Sequence, residues 1–374
     1  MKVFLSYARE DSGAAGEVYS FLEDMGLSPW QDTRNLLAGQ DWLKEIERNI
    51  RLSDVFCIFL SKSLEKDSPI LAREMSIAQE TELAKGASGF IFPILLDSQC
   101  SFRAENFRQW IDLRSSNWRF SLFQSLVGLL HRGGQTGPTV DIQEGSLVVK
   151  NRYREKLRGI EDCIVAQFPH FYVPTSKWSA SDIHTLIHGD IWRRMSAFRA
   201  EFHDDEYFGF SPSTSCASLE VDCDPYVLGE AFLSAHISYY SHLGGRPYPN
   251  LTSASVALYV EELSLVNCYR LFGHRHHASV PMEMVELIAQ SVYPDGHPEE
   301  HLSVNEIVDH IQAGNDHSVF DCFVLTRSGM TFHFSRGDIG AGAIGAPKVC
   351  IHPSAIVPHL LDTPLTRALR DCWD

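Results

Sequence analysis

Six consecutive apolar residues, Val55-Phe56-Cys57-Ile58-Phe59-Leu60, constrain the fold of this 374-residue chain more than any other feature. A half-buried strand alternates apolar and polar residues, so an unbroken run of this length marks a strand covered on both faces. Val3-Phe4-Leu5 and Phe90-Ile91-Phe92-Pro93-Ile94-Leu95-Leu96 read the same way. Between these runs the apolar residues recur at helical spacing. Ala14, Val18, Phe21, Leu22 and Met25 form one stripe, closed by Gly26 as a C-cap; Trp42, Leu43, Ile46 and Ile50 form a second; Ile77 and Ala78 belong to a third. Buried strands alternating with helices over short connections predict an open parallel sheet flanked by helices, an α/β unit. Ligands of such sheets bind at the carboxyl ends of the strands, here the loops after Leu5 and Leu60.

That unit accounts for about 130 residues, and a chain of 374 has room for more, at roughly 150 residues per domain. Arg132-Gly-Gly-Gln-Thr-Gly-Pro138 is the clearest linker in the sequence, which places the first domain at 1–131, the linker at 132–148 and a second domain at 149–374. The second domain has a different texture. Ile183, Ile187, Ile191, Met195, Phe198 and Phe202 make a long helical stripe, opened by Ser179 or Ser181 as N-cap, and 281–292 reads as another helix. Ala231, Leu233, Ala235, Ile237 and Tyr239 alternate with Ser234, His236 and Ser238, and Val256, Leu258 and Val260 as well as Met330, Phe332 and Phe334 repeat the two-residue period. One-faced strands with few helices predict an α+β domain built on an antiparallel sheet.

Composition bears on partners. Thirty-two Lys and Arg against 48 Asp and Glu give a formal charge of -16, which repels phosphate backbones and argues against nucleic acid as a partner. No apolar run approaches the ~20 residues of a membrane helix, and charged residues follow the first few apolar ones too soon for a secretory leader. Nine cysteines without a Cys-x-x-Cys pair fit reduced thiols, so the expected setting is the cytoplasm, away from membranes. The histidine groups at 274–277 and 297–301 lack metal-ligand spacing and read as loop histidines, and the glycines from 337 to 345 read as turns.

Five blocks of the first domain, in order, resemble the Toll/interleukin-1 receptor (TIR) family of the bacterial type. They are Val3-Phe4-Leu5-Ser6-Tyr7-Ala8-Arg9-Glu10-Asp11; Trp30-Gln-Asp32 with Leu37-Ala-Gly39-Gln-Asp41-Trp42; Ser53-Asp54; Leu60-Ser61; and Ser68-Pro-Ile70-Leu-Ala-Arg73-Glu74. The resemblance implies a flavodoxin-like fold and an NAD glycohydrolase activity, with NAD+ as substrate rather than cofactor. It places the family's catalytic glutamate at Glu74, which by position alone reads as a solvated carboxylate early in a helix. A carboxylate beside the ribose suits the reaction, because nicotinamide leaves neutral while the sugar gains oxocarbenium character. The resemblance makes Tyr7, Arg9, Trp30, Asp32, Gly39, Trp42 and Ile70 the substrate-side candidates. Tyr7, Trp30 and Trp42 are stacking surfaces or core residues, Arg9 a pyrophosphate contact or a surface arginine, and Gly39 a tight turn. Ile70 stands where the family often has Trp, and can form an apolar wall but cannot stack on a flat ring.

The second domain is similar, over 220–360, to a family found in lysozyme-sensing anti-sigma factors and beside PdaC-type polysaccharide deacetylases. The residues that carry this are His236-Ile-Ser-Tyr239-Tyr240, Gly244-Gly245, Asn250, Tyr259-Val260, Leu265 and Gly329-Met-Thr-Phe332-His-Phe334 with Gly340 and Gly345. Residues 149–212 resemble the segment that precedes it. The resemblance implies a domain that binds a protein or glycan, with Arg246 and Tyr248 in an exposed turn as contact candidates. The two halves together imply an anti-phage effector whose second domain senses a phage protein and whose TIR domains then assemble and degrade NAD+. The alternative is a non-enzymatic TIR adaptor.

Overall fold

The computed structural model describes residues 1–35, 41–65, 68–86, 89–97, 100, 109–132, 138–157, 160–203, 217–242, 250–273, 280–292, 320–335 and 347–374. They separate into two units, Met1–Val140 and Asp141–Asp374.

The first unit runs β1 (Lys2–Ser6), α1 (Ser12–Asp24), β2 (Ser28–Trp30), α2 (Asp32–Asn35), α3 (Trp42–Leu52), β3 (Val55–Leu60), α4 (Ser68–Lys85), β4 (Ile91–Leu95), β5 (Ile111–Asp112) and α5 (Trp118–Arg132). Its five strands are parallel in the order β2-β1-β3-β4-β5. All six residues of β3 are buried, as the apolar run requires. One face packs Phe4, Phe56 and Ile58 against Ile46 and Ile50 of α3 and Leu71, Met75 and Ala78 of α4. Across α1 and α5, Phe21 meets Trp118 and Phe123 edge-on at 5.6 and 6.2 Å. Gly26 closes α1 at φ 75°, where its N–H bonds the Glu23 carbonyl and the Leu27 N–H bonds that of Leu22, the paired bonds of a Schellman cap. The α3 stripe is shorter than its spacing suggests: Ile46 and Ile50 are buried, while Trp42 and Leu43 on the first turn are exposed.

The second unit's sheet begins earlier than the sequence indicates. β6 (Thr139–Gln143) and β7 (Ser146–Leu157) are strands where the linker was expected to continue to 148. β8 (Ile160–Tyr172), α6 (Ala180–His203), β9 (Ser218–Leu228), β10 (Phe232–His242), β11 (Asn250–Tyr259) and β12 (Ser264–Leu265) follow. Then come α7 (Cys268–Phe272), α8 (Met282–Val292), β13 (Phe323–Thr326), β14 (Gly329–His333), β15 (Lys348–Ile351), α9 (Pro353–Ile356) and α10 (Pro364–Trp373). The large sheet has the order β12-β11-β10-β9-β8-β7-β6 and is mixed, because β8 pairs with β9 in parallel. β7, β8 and α6 therefore belong to the same sheet and core as β9 to β12, and are not a segment set before it. β13, β14 and β15 make a separate antiparallel sheet.

Ser179, not Ser181, caps α6: its Oγ accepts from the Asp182 N–H and its own N–H donates to the Asp182 carboxylate, each at 3.1 Å. The helix buries Ile183, Ile187, Ile191, Met195, Phe198 and Phe202 in one core with Ile164, Ala166 and Phe168 of β8, Leu219 and Val221 of β9 and Leu233, Ala235, Ile237 and Tyr239 of β10. The opposite face of β10 is polar in sequence yet is not left to solvent. Ser234 and His236 are buried there, Ser234 Oγ accepts from the Leu325 N–H of β13 at 3.1 Å, and His236 stacks on His333 of β14 at 3.6 Å. The small sheet is what covers it.

No helix among the described residues is long and apolar enough to cross a membrane.

Candidate active site

Ser6 closes β1, the second strand from one edge of the parallel sheet, and pairs across to Ile58 of β3. Both of its sheet neighbours continue in parallel, so the chain beyond it leaves at the carboxyl end of the sheet, where Tyr7, Asp32, Ser61 and Asp97 gather from the loops after β1, β2, β3 and β4. α4 crosses the same end. Its residue Glu74 is only 8 % exposed, and its Oε2 accepts a 2.6 Å hydrogen bond from Ser6 Oγ. Burial pushes the Glu74 carboxyl up to about 7; the Ser6 hydroxyl opposes this and the charge of Asp32 adds to it. Glu74 is thus a carboxylate that changes charge near neutrality, held in a sheltered place with one hydroxyl donor.

Tyr7 and Asp32 are brought together as a pair. The Tyr7 hydroxyl donates to Asp32 Oδ1 at 2.7 Å and accepts from Gln31 Nε2 at 2.9 Å, while the Thr33 N–H donates to the same Asp32 oxygen at 2.7 Å. Burial raises the Tyr7 phenol, so it remains a donor. Gln31 is 2 % exposed, and its Oε1 has no partner among the described residues. Ser61 Oγ donates to Asp11 at 2.5 Å and accepts from the Ser63 N–H, which fixes the loop after β3.

The remaining candidates divide. Trp30 is a core residue: it is buried and stacks on Phe4 at 4.8 Å, which stacks in turn on Phe56 at 5.4 Å, so the ring is already covered by protein. Of the two places the sequence leaves open for it, substrate side or core, it takes the core. Arg9 is exposed in a short 3-10 turn after β1. Ile70 lies one turn before Glu74 on α4 and is 45 % exposed, so it shares the Glu74 face and is open to solvent. Trp42 is exposed at the start of α3. Gly39, Arg246 and Tyr248 lie outside the described residues, as do the histidines at 274–277 and 297–301 and the glycines from 337 to 345. Among the described residues no group of three or more His, Cys, Asp or Glu is placed to hold a metal ion.

Sequence reasoning missed the role of Ser6, although a signal was present: it is the first polar residue after the apolar run Val3-Phe4-Leu5, at the strand end where such sheets bind ligands. It also missed Gln31, for which no local signal existed.

A parallel sheet in the order β2-β1-β3-β4-β5, with helices on it and a buried carboxylate at the carboxyl ends of β1 and β3, defines a flavodoxin-like α/β domain. Residues 3–127 match the family described as TIR domain, and the N-terminal unit is a TIR domain. No curated protein matches the chain. Among solved structures, the TIR domain of a Toll-related receptor from Hydra magnipapillata is similar at 21% identity, covering 34% of this chain and 97% of that one with a TM-score of 0.29. Two proteins described as DUF3298 family members are also similar. One, from Bacteroides fragilis, is 12% identical and covers 63% of this chain and 100% of its own, with a TM-score of 0.41. The other, from Pseudomonas aeruginosa PAO1, is 10% identical and covers 59% of this chain and 95% of its own, with a TM-score of 0.37.

Proposed function

We propose that the TIR unit hydrolyses NAD+ at the bond between nicotinamide and ribose, and that Glu74 is the catalytic residue. The observation that carries this reading is the buried Glu74 carboxylate on α4, beside the carboxyl ends of the strands and within 2.6 Å of Ser6 Oγ. In the reaction the C–N bond breaks, its electron pair leaves with neutral nicotinamide, and positive charge develops on the ribose. A carboxylate held in a low-dielectric site stabilises that charge more strongly than one in water. Addition of water to the sugar gives ADP-ribose, and addition of a group from the same molecule gives a cyclised form. Ile70, on the Glu74 face of α4, supplies an apolar surface to the substrate; Arg9 meets the pyrophosphate; Asp32, held by Tyr7, meets ribose hydroxyls; Trp42, exposed at the start of α3, borders the entrance.

The second unit, in this proposal, senses a phage protein, with Arg246 and Tyr248 as the contact residues. Binding brings TIR units of neighbouring copies together in the cytoplasm, and the assembled units consume NAD+ as an anti-phage response. A second reading, a non-catalytic TIR adaptor, is favoured by the open position of Ile70, which leaves α4 without an aromatic ring one turn before Glu74. One experiment separates the two. The full chain is co-expressed with individual phage structural or lysis proteins, and cellular NAD is measured beside the Glu74→Gln variant. Depletion that requires Glu74 supports the enzyme; a phage-dependent defence that persists in Glu74→Gln without NAD loss supports the adaptor.

A further inference from the structure

We propose that Ser6 is the positioning residue of this site, its hydroxyl fixing the Glu74 carboxylate through the buried Ser6 Oγ to Glu74 Oε2 hydrogen bond, an inference that rests on Glu74 being the catalytic group. Ser6 is 1% exposed and sits on a strand paired on both sides, so its hydroxyl has little freedom. Glu74, by contrast, is joined to its helix by a long side chain with three rotatable bonds, and a fixed donor selects one arrangement of it. A hydroxyl aimed at a carboxylate also favours the charged form, which is the form that meets a developing cation.

Asp32 acts against Ser6. Arg9, Glu10, Asp11, Asp32, Arg34, Lys62, Arg73, Asp97 and the exposed Asp41–Lys44 pair are charged groups of the loops and helices at this end of the sheet. Of these, Asp32 is the one whose field raises Glu74. Its carboxylate is anchored by the Tyr7 hydroxyl and the Thr33 N–H, so the charge stays in place. Burial is the largest influence on Glu74 and favours its neutral form; the Ser6 hydroxyl works against it by favouring the ionised form, and the neighbouring Asp32 anion works with it. Tyr7 takes part indirectly, by holding Asp32.

The test uses the full chain in two readouts. The first needs no substrate. Thermal unfolding of wild type, Ser6→Ala, Ser6→Thr and Asp32→Asn is followed against pH, each beside the same protein carrying Glu74→Gln, so that the difference within each pair reports the titration of Glu74. The wild-type midpoint falls near about 7. Ser6→Ala moves it up by on the order of one pH unit, the size of a lost hydrogen bond to a buried carboxylate. Ser6→Thr, which keeps the hydroxyl, restores it, and Asp32→Asn moves it down. The second readout is the pH dependence of NAD+ cleavage, in which the acid limb of kcat follows the same order and KM for Ser6→Ala stays unchanged. A wild-type midpoint in Ser6→Ala overturns the positioning role, whether or not NAD+ is cleaved. Shifted midpoints in a protein that never cleaves NAD+ support the Ser6–Glu74 coupling and overturn the NAD+ reading alone. If Ser6→Ala does not fold, Ser6→Cys, with a weaker donor of similar size, reads the same upward shift.

Discussion

Asp190 in the second unit and Glu74 in the first are both carboxylates on a helix that packs against a sheet, yet their surroundings differ. Asp190 on α6 accepts from the Tyr239 hydroxyl at 2.7 Å and from Arg194 Nε at 3.1 Å, and it pairs with Arg193. The Arg194 guanidinium also lies over the Tyr239 ring at 4.4 Å and donates to Thr252 of β11 at 3.1 Å. Burial alone would raise Asp190, but the Tyr239 hydroxyl and the two arginines outweigh it and hold the carboxyl below its ordinary value. Glu74 has one hydroxyl donor and an anionic neighbour, and its carboxyl rises. The difference teaches how partners set the charge of a buried carboxylate. A fully partnered one fastens a helix to strands; a sparsely partnered buried one weakens the fold, which is the environment expected of the catalytic role proposed for Glu74.

The comparison can be broken at its strongest point by Glu74→Gln. This variant should lose NAD+ cleavage by at least about 100-fold, the scale for removing a charge-stabilising group, while circular dichroism shows an intact fold. Wild-type turnover in the variant under activating conditions would refute the catalytic assignment. The same substitution sharpens the contrast in stability. Because the folded-state value of Glu74 is raised from 4.5 to about 7, its favourable contribution is complete below pH 4.5 and is lost as pH rises through about 7. Glu74→Gln should therefore stabilise the protein at pH 8 by up to about 3 kcal/mol, and by close to nothing at pH 4.5. Thermal melts at the two pH values read this directly.

Asp190→Asn should act with the opposite sign. It loses the charge that Tyr239, Arg193 and Arg194 surround, and should destabilise the second unit by about 2 kcal/mol at pH 7. Since Asp190 is held below its ordinary 3.8, that deficit should close only as pH falls below this value. Denaturant unfolding at pH 7 and pH 3 checks it; a stabilising effect would erase the contrast with Glu74. The smallest effect is expected at Arg199, which grips Glu155 of β7 from α6 through Nε at 3.0 Å and its outer nitrogen at 2.6 Å. Both side chains keep contact with solvent, so Arg199→Ala should destabilise by about 1 kcal/mol, and by less in high salt.

Reading the chain residue by residue captured the parallel sheet because its signals are local. Six apolar residues in β3, the stripe of α1 and the glycine at its end each specify their own element. The Ser179 cap and the α6 stripe were legible for the same reason. Glu74 was legible through its place in a run of motif residues, whereas its partner Ser6 was 68 positions away and carried no mark of that contact. For Trp30 the sequence left a stacking surface and a core residue both open, because aromatic character alone does not say which neighbour a ring will stack on; Phe4 takes it.

Local pattern by itself determined the two textures of this protein, a parallel α/β unit followed by two-faced strands, because periodicity is a property of neighbouring residues. Tertiary structure decided what each face meets. The serines and histidine of β10 repeat every second residue, as a solvated face would, but the small sheet of β13, β14 and β15 covers them. Gly329 illustrates the same limit at one position. Its φ is +130°, and a Cβ there would sit 2.0 Å from the carbonyl oxygen of Ile351 on β15, a strand that reaches it only when the small sheet closes. The charge of Glu74 is the functional instance. Its near-neutral titration arises from burial and an anion after β2, opposed by a hydroxyl at the end of β1. Those three meet only in the folded chain.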